Sequence, residues 1–164
     1  MRESIFSREL KVYWPGQYES VVQYLQKKDE ADKKAKSVFN SNMEVVAFAA
    51  CVGLRERHPL DTERTQEIST FTFEGKGYGP LLFLIPMMAD PEKFDLYRLR
   101  DGEAERDCIK EFERYAAGGL QILSENYRKA GLVLPEFFLG NLLERFVVRE
   151  AAVSGGSVLD NDIF

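Results

Sequence analysis

Along residues 11–28, KVYWPGQYESVVQYLQKK, apolar and polar positions first alternate and then group at helical spacing. The pattern predicts an extended lead-in, a turn at Pro15-Gly16 and a helix from about Gln17 to Lys28, with Val21, Val22, Tyr24 and Leu25 on its apolar side. A second helix opens after the polar NSN before Met43, which offers several capping residues. From Val45 to Leu54 it carries no polar side chain, so it reads as the buried central helix, and Ala47, Ala49, Ala50 and Gly53 allow neighbours to come close. EISTFTFEGKGYGP has strand character at Ile68, Thr70, Phe71, Thr72 and Phe73, followed by turn glycines at 75, 77 and 79. Pro80 suits the start of a short buried helix that Pro86 should kink or split, and Asp90-Pro91 should restart another.

The longest helical signal follows, DGEAERDCIKEFERYAAGGLQILSENYRKAG, ending at Gly131 in the manner of a C-cap. On a wheel of ~100° per residue, Ile109, Phe112, Tyr115, Ala116, Gly119, Leu120, Ile122, Leu123 and Tyr127 form one apolar arc that Cys108 joins. Gly119 lies near its middle, which predicts a close crossing against the helix at 45–54. Gly118 lies on the border and serves either a bend or a surface approached by a partner. PEFFLGNLLERFVVREAAV is the last helix, opened by Pro135. The sum is a mainly α fold: a compact bundle of about five to six helices with one short strand or hairpin-like segment near 66–74. Residues 1–150 read as a single helical domain, and 151–164, with its SGGS hinge, as a flexible acidic-apolar tail.

At 164 residues one domain with a full core is the expectation. A net charge of -5 argues against general adhesion to nucleic acid and leaves only local basic patches. Cys51 and Cys108 sit in apolar helical contexts without a neighbouring Cys or His at ligand spacing, so both are expected as buried, reduced thiols in a cytoplasmic protein. The charged start MRESIFSREL does not resemble a secretory signal. The longest apolar runs fall well short of the ~20 residues a bilayer requires, so a soluble protein is expected.

His58 is the only histidine, which excludes His-pair chemistry and favours a structural or solvent-exposed role. The acidic groups Asp101/Glu103/Glu105 and Glu111/Glu113 stand beside Arg106, Lys110 and Arg114 and read as ion pairs on exposed helix faces. No nucleophile elbow, metal-binding spacing or phosphate loop is present. The reading is therefore a non-enzyme without cofactor or metal, the residual alternative being a dispersed acidic, metal-dependent site. Lys33, Lys34, Lys36, Arg55, Arg57 and Arg64 are the candidate nucleic-acid contacts. Gly118, with Val158, Leu159, Ile163 and Phe164 of the tail, are the candidate partner contacts.

Three stretches in order carry a family resemblance: Phe48, Ala49, Ala50 and Gly53; then Arg55, Arg57 and Pro59; then Tyr115, Ala116, Gly118, Gly119 and Leu120. Over roughly residues 40 to 130 the chain resembles the bacterial family DNA phosphorothioation-associated protein 4, also called Dnd system-associated protein 4. The segment at 18–37 and the region after Leu132 are outside the resemblance. The likeness implies an accessory protein of systems that place sulfur in the DNA backbone or defend against phage with that mark. It implies larger protein subunits, such as an ATPase or nuclease, as partners, with DNA met directly or through them and no membrane. It transfers no catalytic residue.

Overall fold

The computed structural model describes residues 4–95, 97, 101–131 and 133–156. Strand β1 (Lys11–Trp14) pairs antiparallel with β2 (Gln66–Ser69), placing Val12 opposite Ile68. A 3-10 turn at Gly16–Tyr18 leads from β1 into helix α1 (Glu19–Leu25). Helices α2 (Asn42–Arg55), α3 (Thr70–Gly75), α4 (Leu81–Ala89), α5 (Gly102–Ala130) and α6 (Pro135–Gly156) complete the described elements. The expected extended lead-in is thus β1, and the mainly α class holds.

Local chemistry sets most helix ends. Ser41 Oγ accepts from the Glu44 amide at 3.3 Å, and the Glu44 carboxylate accepts from the Asn40 amide at 2.6 Å, opening α2. Asp101 caps α5, and Gly131 closes it at φ 73°, a conformation that favours glycine. The helix α2 ends less comfortably. Arg57 stands at φ 49°, with the Arg57 amide bonded to the Leu54 carbonyl and the His58 amide to the Gly53 carbonyl, a Schellman closure built on a non-glycine residue.

The core forms where α2 lies across α5. A Cβ on Gly119 would overlap the Ala49 carbonyl oxygen, and one on Gly53 would overlap that of Tyr115, so the two backbones meet directly. This is the crossing expected for Gly119. Gly118 needs a correction: it is buried, and a Cβ there would overlap the His58 carbonyl oxygen. The chain leaving α2 runs along α5, with the Leu60 amide bonded to the Arg114 carbonyl and His58 Nε2 2.6 Å from Gln121 Oε1. Gly118 makes room for that segment and is closed to any partner. His58 takes a structural place, as expected.

Other expectations change. The strand ends at Ser69, and Thr70 to Phe73 turn into α3 because Ser69 Oγ caps the Phe71 amide while Thr70 Oγ1 accepts from the Leu10 amide. Pro86 does not split α4. Proline lacks the amide that would bond to Leu82, and the Cys108 thiol donates to that carbonyl instead, at 3.5 Å. Burial pushes this thiol up to about 12, so it stays protonated as a donor. Residues 91–94 form turns, not the restarted helix. Cys51 is exposed, not buried, because α2 leaves its Phe48–Cys51–Arg55 side at the surface; both thiols are free. The helix α6 runs without a break across the boundary expected at 150.

Candidate functional site

The helix α6 is apolar on two sides. Toward the core it buries Phe138, Leu139, Leu142 and Phe146. Arg55 lies over the Phe146 ring at 4.2 Å and donates to the Phe146 carbonyl at 2.8 Å. Arg149 grips Glu56 with bonds of 3.2 and 2.9 Å, and Arg145 donates to Asn126 at 3.0 Å. These contacts fix which way the helix faces.

Outward, at ~100° per residue, Leu143, Val147, Gly140, Ala151, Phe137 and Val148 occupy an arc of roughly 140°, with Glu136, in the first turn, and Glu144 the two charges inside it. Phe137 is 65% exposed, Val147 65% and Val148 61%, values that describe a face no described residue covers. The signal was present in the sequence as the adjacent apolar pairs 137/138, 142/143 and 146/147, which one core-facing stripe cannot absorb. In the sequence this segment reads only as the last helix, and its second apolar face goes undistinguished.

The expected nucleic-acid contacts are separated. Arg55 is consumed by Phe146, Glu56 and Glu150 at the α2–α6 junction. Arg64 pairs with Glu113 at 2.9 Å and covers the Tyr13 ring at 4.2 Å. Arg57 is exposed without an ion pair among the described residues. Lys33, Lys34 and Lys36 are exposed on the connection that precedes α2, whereas Arg55 is the last residue of that 14-residue helix. Of the partner contacts, Gly118 is internal, and Val158, Leu159, Ile163 and Phe164 lie outside the described residues.

Two acidic residues expected on exposed faces are buried. Glu105 accepts from the amide and hydroxyl of Ser7 at 3.0 and 2.7 Å. Glu113 accepts from the Tyr13 amide at 2.8 Å, the outward group of β1, and pairs with Arg64. Burial raises the Glu113 pKa against the opposing pull of these partners. Each carboxylate fastens a segment of the N-terminal region to α5. Beside Glu113 lies a small pocket of about 210 Å³ whose charged groups are largely paired with one another. Arg114 keeps the expected helical pairing with Glu111, at 3.0 Å. No group of His, Cys, Asp and Glu among the described residues could hold a metal ion.

A larger pocket, about 560 Å³, opens where α1 ends beside the α5–α6 turn. Tyr24 and Tyr127 form an aromatic pair 4.4 Å apart in its wall, Val133, Leu134 and Pro135 supply apolar surface, and Lys27, Lys28 and Glu30 stand around it. Tyr24 Oη donates to the Val133 carbonyl at 2.7 Å, tying α1 to the turn.

These features define a small, mainly α-helical domain with one helix apolar beyond the needs of its own core. No described helix is long and apolar enough to cross a membrane. The chain belongs to the family described as DNA sulphur modification system-associated protein 4, whose sequence model matches residues 11–146. The match takes in the 18–37 segment and most of the described part of α6, both beyond the likeness legible at 40–130. No curated protein and no solved structure matches the chain.

Proposed function

We propose that the chain is a non-catalytic accessory protein, an adaptor of a prokaryotic DNA sulphur modification system that serves antiphage defence in the cytoplasm. It acts by binding a larger ATPase or nuclease component of that system. The outward face of α6 carries this reading: Phe137, Leu143, Val147 and Val148 offer an apolar surface, interrupted by Glu136 and Glu144, on a helix anchored by Arg55, Arg145 and Arg149. The complementary partner surface is an apolar groove with a cation opposite Glu144, which has no ion pair among the described residues. Family membership supplies the setting.

Co-expression of the tagged chain with each other protein of its own system, followed by size-exclusion chromatography, tests the proposal. One component should co-elute with the native chain and be lost with L143E/V147E. Because both positions are exposed, the double variant should unfold within about 0.5 kcal/mol of the native chain. A native chain that elutes alone with every component at micromolar concentration, or a complex that survives the double variant, overturns the proposal.

A further inference from the structure

We infer that the pocket between the end of α1 and the α5–α6 turn binds a nucleotide unit of single-stranded nucleic acid, the base against Tyr127 and the phosphate at Lys27 and Lys28. The inference stands apart from the α6 face and does not need it. At about 560 Å³ the pocket is within the range of small-ligand sites, and its wall combines a half-buried tyrosine with the apolar Val133, Leu134 and Pro135. Tyr24 backs the Tyr127 ring at 4.4 Å, and its own hydroxyl is spent on Val133. Gln26 is likewise spent, donating to the Val22 carbonyl at 3.1 Å and to Asn42 at 2.7 Å. The wall is therefore held in place by internal bonds.

What remains for a ligand is an aromatic surface and two ammonium groups, since neither Lys27 nor Lys28 forms an ion pair among the described residues. Glu30 is the one carboxylate in the pocket lining. A planar ring carrying an anion fits that pairing of groups, as in the sites that stack bases while tracking a phosphate backbone. Beyond Asp29, Glu30 and Asp32 the same connection carries three more exposed cations, Lys33, Lys34 and Lys36, which favours a strand over a free nucleotide. A base paired inside a duplex is stacked on its neighbours and cannot present its face to Tyr127.

Fluorescence anisotropy of the full chain with a labelled oligothymidylate, at low and moderate salt, provides the test. The native chain should bind the single strand and prefer it to the corresponding duplex. K27E/K28E, changes on exposed side chains that should leave folding intact, should weaken binding at least about tenfold and shrink the salt slope by about 0.7, the share of the one single-strand phosphate they hold. Y127L should weaken binding by about 5–100-fold with the slope unchanged, as loss of one stacked base requires. L143E/V147E should bind the strand like the native chain. Thymidine monophosphate should displace the strand better than inorganic phosphate, because it also offers a base to Tyr127, yet only at concentrations far above that of the oligonucleotide. The inference is overturned by absence of strand binding at low salt, by equal binding of the duplex, by unchanged affinity in K27E/K28E, or by strong displacement with the monophosphate alone, which would make the ligand a free nucleotide.

Discussion

Two helices show opposite relations between sequence and surroundings. Where α5 crosses α2, backbone lies on backbone, and the glycines at 53, 118 and 119 each leave space that the chain itself fills. The helix α6 meets the same body through buried side chains and the Arg55 bond to the Phe146 carbonyl, and Phe137, Leu143, Val147 and Val148 face outward. The first region is finished within the chain, since any added atom must displace a carbonyl. The second is unfinished, because burial of its outer apolar side chains would be favourable and no described residue provides it. For function, the contrast points to the surplus apolar surface and away from the most tightly packed residues.

Neighbouring residues on α6 allow the largest test of that contrast. Phe146 is 6% exposed and lies under Arg55, whereas Val147 is 65% exposed. F146A should cost about 3–5 kcal/mol, the usual loss for truncating a buried phenylalanine. V147A should change stability by less than about 0.5 kcal/mol. Urea unfolding measures both, with an unchanged m-value required for the comparison. Equal losses at the two positions would show that α6 has no free side and would remove the basis for docking there.

The crossing itself supplies the next largest effect. G119A places a methyl group on the Ala49 carbonyl, a backbone atom that cannot rotate away, so the helices must separate. A loss of about 3 kcal/mol is expected, at the upper end for overpacking. The G140A substitution on the outer face of α6, where a Cβ meets nothing, should instead be neutral or slightly stabilising, since alanine is the better helix former. A G119A protein as stable as the native chain would mean that α2 and α5 are not in backbone contact.

Much of the fold could be read from residue order. Ser41, Asp101 and Gly131 mark helix ends by local chemistry, and Gly119 stands at the centre of an apolar arc. What stayed hidden depends on pairs far apart in sequence. The wheel places Gly118 at a border, and only the turn at Arg57 brings His58 across it. Thr70 to Phe73 have the composition of a strand, and the cap from Ser69 with the bond from Leu10 makes them a helix. The site fared less well. Arg64 and Arg55 looked free because their partners, Glu113 and Phe146, are 49 and 91 residues away. The pocket at Tyr24 and Tyr127 likewise joins segments about a hundred residues apart, which no local pattern encodes.

Glu113 gives the smallest effect and the sharpest test of how the finished region is held. It sits at the same long-range level as the α2–α5 crossing, but its contribution depends on pH. Burial raises its pKa in the folded chain above the ordinary value of 4.5, so over the interval between the two values the folded state holds a proton that the unfolded state has released. Stability from this group is therefore full below 4.5, falls as pH rises through the raised value, and is level above it. E113Q keeps an acceptor for the Tyr13 amide while removing the titration and the charge that pairs with Arg64. The variant should lose this downward slope, seen as a smaller fall in the urea midpoint from acid toward neutral pH than the native chain shows. If both proteins show the same slope, Glu113 is not buried at the foot of β1, and the ribbon is fastened to α5 by other groups.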